Sequence, residues 1–120
     1  MSSCNRPVRN VTALQAQKII ENTKDKPVIV RFFAHWCAAC AESAPKVQEA
    51  ANNVCDGAEV LQIDGDSAFN SDWAGKQGVE AFPSVVAYKN GMRVGKVEGS
   101  LESSAYQEFF TKWQGKLNGN

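Results

Sequence analysis

Cys37 and Cys40 stand three positions apart in the chain. Two thiols at that spacing can close a small ring and reopen it only if the backbone holds their side chains together, as the first turn of a helix does. The residues that follow are rich in Ala, Glu, Lys and Gln and favour helix from Cys37 to about Asn53, with Pro45 in the interior where it should kink the axis. A cysteine at a helix start faces unpaired backbone N–H groups and the positive end of the dipole, both of which stabilise a thiolate. The predicted chemistry is thiol–disulfide exchange. Cys37 attacks a disulfide, a mixed disulfide forms, and Cys40, one turn deeper, attacks Cys37 and releases the reduced product. The competing chemistry is a structural zinc site. It needs two further ligands, and Cys4, Cys55 and His35 offer no second CxxC or HxxxH spacing.

Positioning such a pair requires a rigid frame, and the rest of the chain supplies its elements. Thr12 and Gln15 form a capping-box pattern before Ala13, Ala16, Ile19 and Ile20, which predicts a helix over Thr12 to about Asn22. Val28 to Phe33 is an apolar, β-branched and aromatic run without alternation, as expected of a central strand covered on both faces. The cysteine pair therefore falls at a strand-to-helix junction. Val60 to Ile63 is a second strand ending at Asp64, and Asp72 to Gln77 a short helix before Gly78. Strand, helix, strand implies a parallel pair. Ser84 to Tyr88 and Arg93 to Val97, joined by Asn90-Gly91, form an antiparallel hairpin with a type I′ turn. Leu101, Ala105, Tyr106, Phe109, Phe110 and Trp113 recur at helical spacing and define a terminal helix packed on the sheet.

Composition narrows the function classes. At 120 residues, 43% hydrophobic and 22% charged, the chain reads as one globular domain over 1–120, with 1–7 and 118–120 flexible. Basic and acidic residues balance at 13 each with no basic run, which argues against nucleic acid. No apolar stretch is long enough to span a bilayer, and the opening residues lack the apolar core of a secretory signal, so the expected location is cytoplasmic. Cys55 reads as a packed or partly exposed free thiol, and Cys4 as a mobile terminal thiol able to join two chains under oxidising conditions.

The segment Phe32-Phe33-Ala34-His35-Trp36-Cys37-Ala38-Ala39-Cys40 resembles the active-site segment of thioredoxins. The resemblance extends to Pro45, Asp64, Phe82-Pro83-Ser84, Lys89-Asn90-Gly91 and Gly99, and so covers about residues 8–115. It implies a thioredoxin fold, an α/β architecture with a central mixed sheet flanked by helices on both faces. It implies that Pro83 is a cis-proline facing the two cysteines, and that the Phe82 main chain pairs with an extended substrate segment. Trp36, Phe82 and the Gly99 loop then form the rim of a shallow apolar groove, and Asp64 accepts a hydrogen bond from the Trp36 indole. The implied activity is reduction of protein disulfides with no bound cofactor. Disulfide-bearing proteins are the substrates, and a separate thioredoxin-reductase-like protein is the electron donor to a monomer acting in electron transport and cell redox homeostasis.

Two departures stand out against the family. Ala38-Ala39 replaces the usual Gly-Pro between the cysteines, a dipeptide that tunes redox poise, and two residues that favour helix cost the fold nothing. Arg31 occupies the place of an aspartate that thioredoxins bury behind the disulfide, and Val60 replaces the lysine that commonly partners it. A guanidinium cannot accept a proton; within about 4 to 6 Å of Cys40 it would favour the thiolate and make the pair a stronger oxidant. His35 and Glu42 are the replacement proton carriers near the pair. Alternative readings are a disulfide oxidase or isomerase of the same fold, and a non-catalytic binding module using the groove.

Overall fold

A computed structural model describes residues 4–113, so the expectation for residues 118–120 lies outside the described residues. The chain runs β1 (Arg9–Asn10), α1 (Ala13–Asn22), β2 (Val28–Phe33), α2 (Ala38–Val54), β3 (Glu59–Asp64), α3 (Ser71–Lys76), β4 (Ser84–Lys89), β5 (Met92–Glu98) and α4 (Ser103–Thr111). The five strands form one sheet in the order β1-β3-β2-β4-β5. β2 pairs parallel with β3, setting Arg31 beside Gln62, and antiparallel with β4, setting Arg31 beside Val85.

Period-two alternation along β2 sorts the core into two layers. Val28, Val30 and Phe32 face α1 and α3, packing with Ala16, Ile20, Leu61, Ile63 and Ala74. Ile29 faces α2 and α4, packing with Val47, Ala50, Ala51, Tyr106 and Phe110. Helices thus cover both faces of a mixed sheet, and the uninterrupted apolar run of β2 follows from its being buried on both sides. By the same alternation Arg31 lies on the α2 side, beneath the first turn of that helix.

Local signals act where the residues place them. Thr12 caps α1: its side chain accepts from Gln15 N at 3.2 Å while Gln15 Oε1 accepts from Thr12 N at 2.9 Å. Asn90 and Gly91 take φ of 54° and 81°, closing the β4–β5 hairpin. α2 continues through Pro45 to Val54. The terminal helix is shorter than its apolar spacing suggests, since Leu101 precedes it and Trp113 follows it; Trp113 packs edge-on to Phe109 with ring centroids 6.0 Å apart.

Two expectations about the N-terminal segment are corrected. Cys4 and Cys55 are not free thiols but one disulfide, with Cα atoms 5.2 Å apart. Residues 4–7 are not a loose lead-in: Cys4 N donates to Asn52 O at 2.9 Å, Arg6 N to Asn52 Oδ1 at 3.0 Å, and Gln48 Nε2 to Arg6 O at 2.6 Å. Arg6 also pairs with Asp56. The physical reason is the short strand β1, which sequence periodicity does not reveal: it joins β3 in parallel at Leu61 and Gln62 and carries the preceding residues to the end of α2. No helix among the described residues is long and apolar enough to cross a membrane.

Candidate active site

β2 ends at Phe33, the chain crosses Ala34 to Trp36, and α2 begins with Cys37 as its N-cap. In that position Cys37 keeps an extended backbone while its Sγ accepts from Cys40 N at 3.1 Å, occupying the site a capping oxygen would take. Both cysteines are free thiols, Cys37 8% exposed and Cys40 2% exposed. The outer sulfur is the one a large substrate meets first. The Cys37 thiol donates to Phe82 O at 3.5 Å, so the segment before β4 faces the pair directly.

Four further residues named from the sequence converge here. Phe82–Pro83 is a cis peptide bond. Trp36 is 70% exposed and meets Phe82 edge-on, with ring centroids 6.1 Å apart. Gly99 N donates to Pro83 O at 2.9 Å with the glycine at φ +89°, a conformation that favours a residue without Cβ. A run of contacts thus leads from Trp36 through Phe82 and Pro83 to Gly99, with Cys37 on the Phe82 carbonyl.

Asp64 does not bind the Trp36 indole. Trp36 Nε1 donates to Asp66 Oδ2 at 2.8 Å, whereas Asp64 Oδ2 lies 3.4 Å from His35 Nε2 and Asp64 Oδ1 accepts from Asp66 N at 3.1 Å. The cause is the register: Asp64 ends β3 directly beside Phe33, so its carboxylate turns into its own loop and toward His35, and the indole reaches the next acidic residue along. Two aspartates two positions apart could not be told apart by pattern alone. His35 is largely exposed and its ring stands edge-on to Phe33. Glu42 is an exposed residue of α2.

Arg31 is 3% exposed. Its Nη2 donates to Cys40 O at 2.6 Å and its Nη1 to Gln62 Oε1 at 3.0 Å, and its Cζ lies 5.2 Å from the centre of the Phe33 ring. Burial lowers its pKa, while Cys40, Tyr106 and Cys37 act in the opposite sense. Cys40 is pushed from its ordinary 9.0 up to about 11, first by burial and then by its hydrogen bond with Cys37; a backbone hydrogen bond with Ala34 and the charge of Arg31 pull it down. A cleft of about 360 Å³ opens on this side of the pair, lined by Arg31, His35, Cys37, Cys40, Ala44 and Gln62 among others.

Three contributors escaped the sequence reading. Gly65 lets the Phe82 ring approach, since a Cβ there would lie 2.7 Å from Phe82 Cε1. Gln62 holds Arg31, and its place on the same sheet face was available from the alternation of β3. Asn70 is buried and ties Asp64 O to the start of α1, with contacts of 3.0 and 2.9 Å. Among the described residues no three His, Cys, Asp or Glu side chains converge as a metal site.

Residues 8–112 match the family model for thioredoxin. The chain is 39% identical over 77 residues to Thioredoxin-1 of Schizosaccharomyces pombe, an alignment covering 64% of this chain and 72% of that protein. It is 31% identical over 97 residues to the thioredoxin of Porphyra purpurea, covering 81% and 87%. Among solved structures, Fasciola hepatica thioredoxin superposes with a TM-score of 0.78 at 32% identity, covering 88% of this chain and 99% of the other. The short form of thioredoxin f from spinach chloroplast gives 0.80 at 26%, covering 93% and 97%. The chain belongs to the thioredoxin family and is a thioredoxin-like protein disulfide oxidoreductase.

Proposed function

We propose that Cys37 attacks the disulfide of a protein substrate and that Cys40 resolves the mixed disulfide, so that the substrate leaves reduced and this chain leaves oxidised. The observation that carries the assignment is the order of the two sulfurs. Cys37 is the outer one, capping α2 beneath the Phe82 carbonyl, and Cys40 lies behind it with its N–H on the Cys37 sulfur. Trp36, Phe82, Pro83 and Gly99 form the substrate rim, with the Phe82 main chain pairing an extended segment. Asp66 orients Trp36. A separate thioredoxin-reductase-like donor restores the dithiol, the exchange uses no bound cofactor, and the chain works as a monomeric single domain in electron transport and redox homeostasis.

A Cys40→Ser chain incubated with a disulfide-bearing protein should accumulate a covalent adduct through Cys37, seen by mass spectrometry and released by dithiothreitol. Cys37→Ser should trap none. The reverse pattern would exchange the two roles. Retention of a partner by both variants without any covalent adduct would make the groove a binding module instead.

A second direction of exchange, oxidation or isomerisation, draws support from Arg31, a buried cation that no carboxylate among the described residues neutralises. The Cys4–Cys55 disulfide bears on the compartment. Such bonds persist mainly in oxidising surroundings, and this one argues against the cytoplasmic location expected from the lack of a signal-like or bilayer-spanning apolar stretch.

A further inference from the structure

Arg31 is the one charged residue in a strand otherwise apolar, and its guanidinium is buried without an acidic partner among the described residues. Nη1 and Nη2 bind neutral oxygens, and Nε has no protein partner at all. A buried cation left this way carries a desolvation cost that a neutral carbonyl and an amide offset only in part. The group beside it that can become anionic is the cysteine pair: Nη2 sits on the carbonyl of Cys40, and the same cleft is lined by Arg31, Cys37 and Cys40.

We propose that Arg31 is a positioning residue of the exchange, a fixed counter-charge that holds the first turn of α2 and stabilises the anionic sulfur of the reduced pair. This rests on the reading of Cys37 and Cys40 as the redox pair. The disulfide carries no charge and gains nothing from the cation; the reduced pair does, so the balance shifts toward the dithiol and the pair becomes the stronger oxidant. When a dithiol donor reduces the pair, the Cys37–Cys40 bond breaks, a disulfide forms in the donor and two electrons pass to this chain. Of the donor's two protons, one stays on a sulfur of the pair and the other passes to solvent through the cleft, because the guanidinium can accept none.

The groups that act on this charge are Cys40 and Cys37 at the first turn of α2 and Tyr106 on α4, and His35 lines the same cleft. None of these is a carboxylate, and the Asp64 carboxylate is directed to His35 and its own loop. Burial pushes the Cys40 thiol up to about 11, and the Arg31 charge is among the influences that oppose this.

The test is the equilibrium of the Cys37–Cys40 pair with reduced and oxidised glutathione, read by thiol trapping in the wild type, Arg31→Met, Arg31→Gln and Arg31→Lys, with Cys4–Cys55 intact. Arg31→Met and Arg31→Gln should move the constant at least tenfold toward the disulfide, which is about 30 mV for a two-electron couple. Arg31→Lys should stay within about threefold of the wild type, and resolution of a trapped mixed disulfide should shift to higher pH in the neutral variants only. Arg31→Met removes a desolvation cost and should fold; Arg31→Gln keeps a donor for the Cys40 carbonyl and separates charge from packing. An unchanged constant in both neutral variants, or an equal shift in all three, overturns the role of Arg31 and leaves the redox pair standing. A wild type that forms no reversible Cys37–Cys40 disulfide overturns the redox reading itself.

Discussion

The two cysteine pairs sit at opposite ends of one helix. α2 is 17 residues long, so the Cys37–Cys40 end and the Cys55 end are separated by roughly 26 Å. At the first end, peptide N–H groups point at sulfur, with Cys40 N 3.1 Å from Cys37 Sγ. At the second, a carbonyl does: Cys55 is the C-cap and its Sγ lies 3.3 Å from Asn52 O. The helix dipole favours negative charge on sulfur at its start and disfavours it at its end, and thiolates are what exchange. Exposure runs the other way, since Cys4 and Cys55 are half-buried while Cys37 and Cys40 are buried. On the proposed assignment, the pair that exchanges is the one whose sulfur faces peptide N–H groups, not the one that solvent reaches more.

The largest effect should separate the two ends outright. Cys37→Ser should reduce turnover of a protein disulfide to the uncatalysed background, whereas Cys4→Ser and Cys55→Ser, alone or together, should keep the wild-type rate at a temperature where the fold is intact. A comparable loss of rate in the Cys4→Ser, Cys55→Ser chain would break the comparison.

Next in size is stability. The Cys4–Cys55 bond joins residues 51 apart in sequence, and closing a loop of that length should stabilise the fold by up to about 4 kcal/mol. Urea unfolding of the double serine variant should show most of that loss, and a change below about 1 kcal/mol would mean that the hydrogen bonds of residues 4–8 hold the segment unaided.

A third measurement sharpens the electrostatic contrast. The Cys40 thiol is raised from 9.0 to about 11 in the folded reduced chain, so between those values the unfolded chain releases a proton that the folded chain keeps. The reduced protein should lose stability, on the order of 2 kcal/mol, as pH rises through that window. The form with Cys37–Cys40 closed has no thiol to titrate and should lose less, and Cys40→Ser should remove the difference. Parallel pH curves for the oxidised and reduced forms would contradict this.

The smallest effect concerns the rim. Asp66→Asn should weaken the Trp36 hydrogen bond by about 1 kcal/mol or less, altering indole fluorescence and changing turnover less than about threefold, and Asp64→Asn should leave the indole untouched. Fluorescence that responds to Asp64 and not to Asp66 would reverse the assignment.

Much of this was legible from residue order because it rests on local rules. The capping box at Thr12, the apolar run of β2, the Asn90-Gly91 turn and the helix after Cys37 each depend on interactions within a few positions, and each formed as the residues required. Placing Cys37 at a strand-to-helix junction followed from the same rules, and the cis bond at Phe82–Pro83 followed from resemblance.

What residue order could not decide was which distant groups meet. The two residues of β1 carry no periodic signal, yet their pairing with β3 brings Cys4 to Cys55 and turns two apparently separate thiols into a bond. Asp64 and Asp66 are chemically identical, and only the register of β3 beside β2 decides which carboxylate the Trp36 indole reaches. Arg31 was visible as a charge in an apolar strand; that it is buried beneath Cys40 without a carboxylate among the described residues depended on the packing of α2, β3 and α4 around it. Local sequence sets φ, ψ and the face a side chain takes, but hydrogen bonds and charge pairs across long separations are fixed only when the sheet closes its register.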